Sequence, residues 1–171
     1  MSCFIVDNVD SSSVNNFSIL KEIIENDDFS FFLDAYSDYF DNFEVYTKTN
    51  SNYRENGNYI KIKLHTSLWF DCYLIFWGPD AISPKHDHAD NGCLYKVIRG
   101  KVRERVYSNV HNLTISQKEY SVGEIGEINN SQGYHRMENI HTTGSGKREK
   151  SAVSASVHFY SPPGYQMNVF E

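Results

Sequence analysis

The 171-residue sequence predicts a mainly β fold, a jelly-roll-like sandwich or barrel behind short N-terminal helices. Three observations point that way. From about residue 59 the chain breaks into many short runs of alternating or continuous apolar residues. Turn residues separate those runs at fairly regular intervals, and helical spacing is confined to the stretch before them. The length suits one domain spanning residues 1–171, long enough to bury roughly two thirds of the surface its unfolded chain would expose.

Asn16 to Phe43 carries apolar residues at three- and four-residue spacings in "NFSILKEIIEN" and "DDFSFFLDAYSDYF", with Asp27 and Ser30 placed as caps. Two short helices are expected there. "TNSNYRENGN", Thr49 to Asn58, is polar and contains glycine, so it reads as a loop before the first strand. Tyr59 to Leu64 alternates as "YIKIKL", while Phe70 to Trp77, "FDCYLIFW", is a nearly continuous apolar run suited to a strand buried on both faces. Leu94 to Ile98, Lys101 to Tyr107, Leu113 to Ser116, Glu124 to Ile128, His135 to Asn139, Val153 to Tyr160 and Met167 to Phe170 follow as short strands. Gly100 sits between two alternating runs, where a hairpin requires it. "TTGSGKREK", Thr142 to Lys150, reads as an exposed charged loop. The expectation is a helical part at about 16–43 and a β-barrel at about 59–171.

Composition narrows the classes of function. A formal net charge of −6 and the lack of any Lys/Arg cluster argue against a nucleic-acid partner. No apolar run approaches the roughly 20 residues of a spanning helix. The start, "MSCFIVDNVDSSS", lacks the basic-then-apolar order of a secretory signal, so a cytoplasmic location is the expectation, and a monomer is expected besides. Cys3, Cys72 and Cys93 form no C-x-x-C pair and no disulfide framework, and each is expected as a free thiol.

"SPKHDHADNGCLYKVIRG", Ser83 to Gly100, places His86 and His88 one residue apart. In a strand, residues i and i+2 project from one face, so the two imidazoles can aim at one point, as metal ligands do. Alone, the pair reads equally well as two surface histidines in a loop. His135, in "NNSQGYHRMENI", supplies a third imidazole from a distant segment. Three ligands on one side leave coordination positions open, and no fourth cysteine or histidine has the spacing of a closed structural site.

The combination G-x7-H-x-H-x4-C-x6-G from Gly78 to Gly100, followed by H-x3-N at His135 and Asn139, resembles the two metal-binding motifs of the cupin superfamily. The usual first motif has a glutamate ligand where this chain has Cys93. That departure resembles the thiol dioxygenases typified by cysteine dioxygenase, and the likeness extends to "GYHRMEN", "SVHFYSPP" and, more loosely, "FLDAYSDYF".

The resemblance implies a cupin barrel that binds Fe(II) through His86, His88 and His135 and oxidises L-cysteine with O2 to cysteine sulfinic acid, a step of cysteine catabolism. It implies that Cys93 becomes joined through a thioether to Tyr160, a protein-derived cofactor, against the alternative of a buried free cysteine. His158 and Ser156, spaced by two and four residues from Tyr160, suggest a Ser-His-Tyr relay on one face; a core histidine satisfied by serine explains them as well. The family's Y-x-R carboxylate anchor aligns with Tyr59 and Lys61, a lysine where a bidentate arginine is usual. Lys61 also reads as a solvent-facing strand lysine, and Arg54 in the nearby loop is a second candidate. The Ser161–Pro162 bond is cis in the family, although strand termination accounts for the prolines too. His65, His111 and His141 read as solvated. A dioxygenase for mercaptopropionate or cysteamine, and an idle cupin that binds a small molecule, stand as alternatives.

Overall fold

The computed structural model describes residues 16–142 and 152–170; Cys3 and residues 143–150 of the expected charged loop lie outside them. Four helices come first: α1 (Asn16–Asn26), α2 (Phe31–Ala35), α3 (Asp38–Asp41) and α4 (Phe43–Thr49). The strands β1 (Tyr53–Arg54), β2 (Tyr59–Thr66), β3 (Asp71–Trp77), β4 (Lys85–His86), β5 (Gly92–Arg99) and β6 (Lys101–Tyr107) follow. They continue with β7 (Thr114–Ser121), β8 (Ile125–Ile128), β9 (Tyr134–Asn139), β10 (Ser154–Ser161) and β11 (Val169–Phe170).

Two antiparallel sheets form, one in the order β1-β2-β3-β10-β5-β8 and the other β11-β4-β9-β6-β7. Between them lies an apolar layer containing Ile75, Trp77, Tyr95, Val97, Val102, Tyr120 and Met137. The outer face of the first sheet is covered by the helices and the segment joining α1 to α2, whose Leu20, Ile24, Phe29, Phe32, Phe40 and Phe43 pack on Leu74, Phe76, Val157 and Phe159. Each such buried phenylalanine contributes about 1.5–3 kcal/mol relative to exposure. The continuous apolar run of β3 is explained by this sandwich: Cys72, Leu74 and Phe76 face the helices, whereas Ile75 and Trp77 face the second sheet.

The strand β10 carries the same division and thereby sets the site. Ala155, Val157 and Phe159 lie in the layer under the helices, so Ser156, His158 and Tyr160 alternate to the inner face. It pairs with β3 on one side and β5 on the other, placing Tyr160 directly opposite Cys93.

Several local expectations change. Four short helices replace two. Ser30 adopts helical angles with no side-chain cap, its hydroxyl donating to Asp28 at 2.9 Å. Asp27 closes α1 through its N–H on Ile23 at 2.9 Å, and Lys96 Nζ reaches the carbonyls of Ile24 and Asp27 at 3.0 Å, satisfying helix-end acceptors. The loop at 49–58 contains β1. Gly100 does have a left-handed φ of 74°, but it does not join a hairpin, because β5 and β6 belong to different sheets. It turns the chain between them where a Cβ would collide with the Ser154 hydroxyl.

Candidate active site

His86 ends β4, which pairs with β9 through His86 and His135. This single rung brings together imidazoles 49 residues apart, with ring centroids 4.6 Å from one another. The second member of the pair behaves differently from expectation, since β4 stops at His86 and His88 lies beyond it. Asn130 holds His88 instead: its Oδ1 accepts from the His88 N–H at 2.8 Å and its Nδ2 donates to the His88 carbonyl at 3.0 Å. The His88 ring is 4.4 Å from that of His135 and 5.9 Å from that of His86, by centroid.

The outer nitrogens of two rings are committed. His86 Nδ1 lies 2.8 Å from the Pro84 carbonyl, and His135 Nδ1 lies 2.7 Å from Glu104 Oε1. A neutral imidazole that donates through Nδ1 keeps a lone pair on Nε2. Burial holds both rings neutral, with pKa values lowered to about 3. Two lone pairs therefore face each other at 3.1 Å. Ligands at about 2.1 Å from one ion, set at right angles, stand about 3.0 Å apart, so this separation is that of two neighbouring metal ligands. His88 adds a buried ring whose two nitrogens have no hydrogen-bond partner. Its pKa is lowered to about 2, burial being the main cause. Among the described residues no group of three or more His, Cys, Asp or Glu side chains is set close enough together, as placed, to hold a metal ion. The chemistry of the donors, two facing Nε2 atoms and an unpartnered buried ring, is what a cation would satisfy once His88 moved in to complete the set.

Glu104, absent from the sequence reading, is buried behind His135 and also accepts from Tyr120 at 3.2 Å. Burial raises its pKa. The alternation of "KVRERVY" could have drawn notice to it, because Glu104 falls in register with the apolar Val102 and Val106 on the inward face of β6.

Cys93 and Tyr160 are buried cross-strand partners. Cys93 has its thiol pKa pushed up to about 12 by burial, and Tyr160 is raised well above the usual phenol value for the same reason. The expected relay takes a different course. Trp77 Nε1 donates to Ser156 Oγ at 2.8 Å, Ser156 meets His158 Nε2 at 2.8 Å, and His158 Nδ1 lies 3.7 Å from Cys93 Sγ. The chain of bonds reaches Tyr160 only through the cysteine, which hydrogen-bonds with it, and the Tyr160 ring stacks near-parallel to that of His158 at 6.0 Å.

Lys61 is not a solvent-facing lysine. Its Nζ lies 4.3 Å from the ring centre of Tyr73 and 4.2 Å from that of Tyr160. Burial without a carboxylate partner lowers its pKa to about 8. Lys61 and Tyr59 line a small pocket with His86, His135, His158 and Tyr160, with a cavity volume of about 20 Å³. Arg54 does not line it. His65 rests half-buried against Phe70 at 5.8 Å, His111 is exposed, and neither joins the imidazole group. The Ser161–Pro162 bond is cis.

Comparison with known proteins gives the following. The family profile described as Cysteine dioxygenase type I matches residues 10–171. Cysteine dioxygenase type 1 of Bos taurus is 31% identical over 107 residues, and that of Rattus norvegicus 30% over 107 residues, each match covering 60% of this chain and 50% of the relative. The matched region thus spans about half the length of these relatives. Oxalate decarboxylase of Lactobacillus farciminis in a formate complex is similar with a TM-score of 0.51 at 15% identity, over 68% of this chain and 32% of that one. A Klebsiella pneumoniae protein with a double-stranded β-helix domain gives 0.51 at 15% identity, over 69% and 84%. At such identities these structures speak for the fold alone, a cupin sandwich. No described helix is long and apolar enough to cross a membrane.

Proposed function

Because the chain belongs to the cysteine dioxygenase type I family, we propose that it is an iron(II)-dependent thiol dioxygenase acting in the cytoplasm as a monomer. Its substrate in this reading is L-cysteine, which takes up one O2 to give cysteine sulfinic acid, both oxygen atoms ending on sulfur. The observation that carries the proposal is the facing Nε2 pair of His86 and His135, 3.1 Å apart beside the unpartnered His88.

These three imidazoles would hold the iron. When bound, it supplies the redox chemistry that joins a spin-paired thiol to dioxygen and favours the thiolate form. The chain's own residues do the rest. Pro84 and Glu104 fix the Nδ1 hydrogens of His86 and His135, so both lone pairs stay on Nε2. The Lys61 ammonium, steadied between two tyrosine faces, receives the substrate carboxylate beside Tyr59. Tyr160 presents its phenol to the same pocket. Burial keeps that phenol protonated and able to donate a hydrogen bond.

The thioether belongs to this reading as well. Forming a bond from Cys93 Sγ to the Tyr160 ring breaks one S–H and one ring C–H bond and releases two protons and two electrons in all, which dioxygen accepts to give hydrogen peroxide. The Trp77, Ser156 and His158 bonds hold the thiol in place for it. Incubating iron-loaded protein with cysteine, cysteamine and mercaptopropionate in parallel, with oxygen uptake and product analysis, tests the function and its substrate. A non-catalytic binder would take up iron or thiol and consume no oxygen.

A further inference from the structure

Beside the inner pocket lies a second, outer cleft of about 380 Å³, lined by Arg54, Lys61, Lys63, Tyr59, Tyr73 and Met167 among others. Tyr59, Lys61 and Met167 belong to both, so the two spaces adjoin. The outer one is cationic in a chain whose net charge is −6, and among the described residues no acidic side chain lines it. Lys63 is neutralised by Asp71 at 3.0 Å. Lys61 and Arg54 are not: among the described residues neither makes an ion pair with a carboxylate. The Arg54 guanidinium meets only the carbonyls of Ser51 and Tyr53, both at 3.3 Å. Its charge and that of Lys61 repel each other across the cleft.

Two uncompensated positive charges on one cleft are a mismatch that a ligand can remove. A substrate with one carboxylate pairs with Lys61 in the inner pocket and leaves Arg54, which does not line that pocket, without an anion. We propose that the outer cleft is a second anion subsite centred on Arg54, and that the site accepts, besides cysteine, small thiols carrying two anionic groups, one for Lys61 and one for Arg54, and binds them more tightly than their singly charged analogues. This deepens the dioxygenase reading and rests on it for the thiol. The anion subsite itself rests only on the cleft and its charges. The chain's net negative charge disfavours anions elsewhere on the protein, while the cationic cleft draws them in.

The test uses two dipeptides of nearly equal shape, cysteinylaspartate and cysteinylasparagine, which differ by one negative charge. Calorimetry on the iron-free protein should show the aspartate form binding roughly three- to tenfold more tightly, as expected for a partly exposed charge-assisted pair. The ratio should shrink toward one in Arg54→Gln and in high salt. Equal binding of the two dipeptides to the unsubstituted protein, or an unchanged ratio in Arg54→Gln, overturns the subsite. Oxygen uptake with the same dipeptides is read separately. If the binding ratio holds while no thiol is oxidised, the dioxygenase reading fails and the anion subsite stands.

Discussion

Cys93 and Tyr160 are direct partners across the β5–β10 ladder, which in an antiparallel pair puts their Cβ atoms about 4.5–5.5 Å apart. A thioether between neighbours at that distance needs no rearrangement of the sheet. Turnover with iron and thiol should therefore split the protein into two bands on a denaturing gel, and the faster one should be absent in Cys93→Ala. A single band under all conditions in the unsubstituted chain rules the crosslink out.

How far the sequence reveals this arrangement depends on whether a feature is local. Alternation along "SASVHFYS" tells which residues of β10 share a face, because strand geometry has a period of two. It does not tell what those residues meet. His158 was expected to serve the Tyr160 hydroxyl two residues along its own strand, and it reaches across to Cys93, which in turn meets Tyr160, since register between strands is a tertiary property. Gly100 shows the same limit. Its positive φ was legible from residue type, yet whether the turn joins strands of one sheet or two depends on packing. Glu104 escaped notice because a buried carboxylate in a charged strand looks like one more surface residue until its partner is seen. The β4–β9 rung that joins His86 to His135 was open to inference only through motif resemblance, as the residues lie 49 positions apart.

Glu104→Gln should weaken iron binding roughly 10- to 100-fold, the usual cost of losing an outer partner of a metal-bound histidine. Gln keeps the size and can still accept from His135 Nδ1, but it lacks the charge that makes the ring a stronger donor. The iron-free variant should unfold at the same temperature or higher, because a buried carboxylate whose pKa is raised by burial gives way to a neutral group. Metal titration and thermal melts of the iron-free protein read the two effects apart. Unchanged iron affinity would reduce Glu104 to a packing residue.

Asn139 is a structural hub. Its buried Nδ2 donates to the carbonyls of Trp77, Gly78 and Ala152 at 2.9, 2.8 and 2.7 Å, and its Oδ1 accepts from Ser154 Oγ at 2.8 Å and the His141 N–H at 3.0 Å. Asn139→Ala leaves several buried polar groups unpaired, each at about 1–3 kcal/mol. Chemical denaturation should show a loss of about 3 kcal/mol or more. A loss below about 1 kcal/mol would mean that water replaces the side chain.

Lys61 gives the pH dependence its sign. Burial lowers its pKa from 10.5 to about 8, so the folded protein carries the cation below pH 8 and loses it above. If that cation receives the substrate carboxylate, KM for cysteine should climb as pH rises through about 8, by roughly 10- to 100-fold at the limit for a hydrogen bond between charged groups. The thiol and amine of cysteine titrate nearby, which obscures a single profile. Lys61→Arg resolves this, because guanidinium stays charged throughout and the substrate's own titrations cancel in the ratio of the two KM values. That ratio should be flat below pH 8 and rise above it. Folding stability runs the opposite way: between pH 8 and 10.5 the unfolded lysine still binds a proton that the folded one has released, so this residue adds stability with rising pH. A ratio that stays flat to pH 9.5 would place the carboxylate elsewhere, while a melting temperature that rises over the same interval would still report the buried lysine.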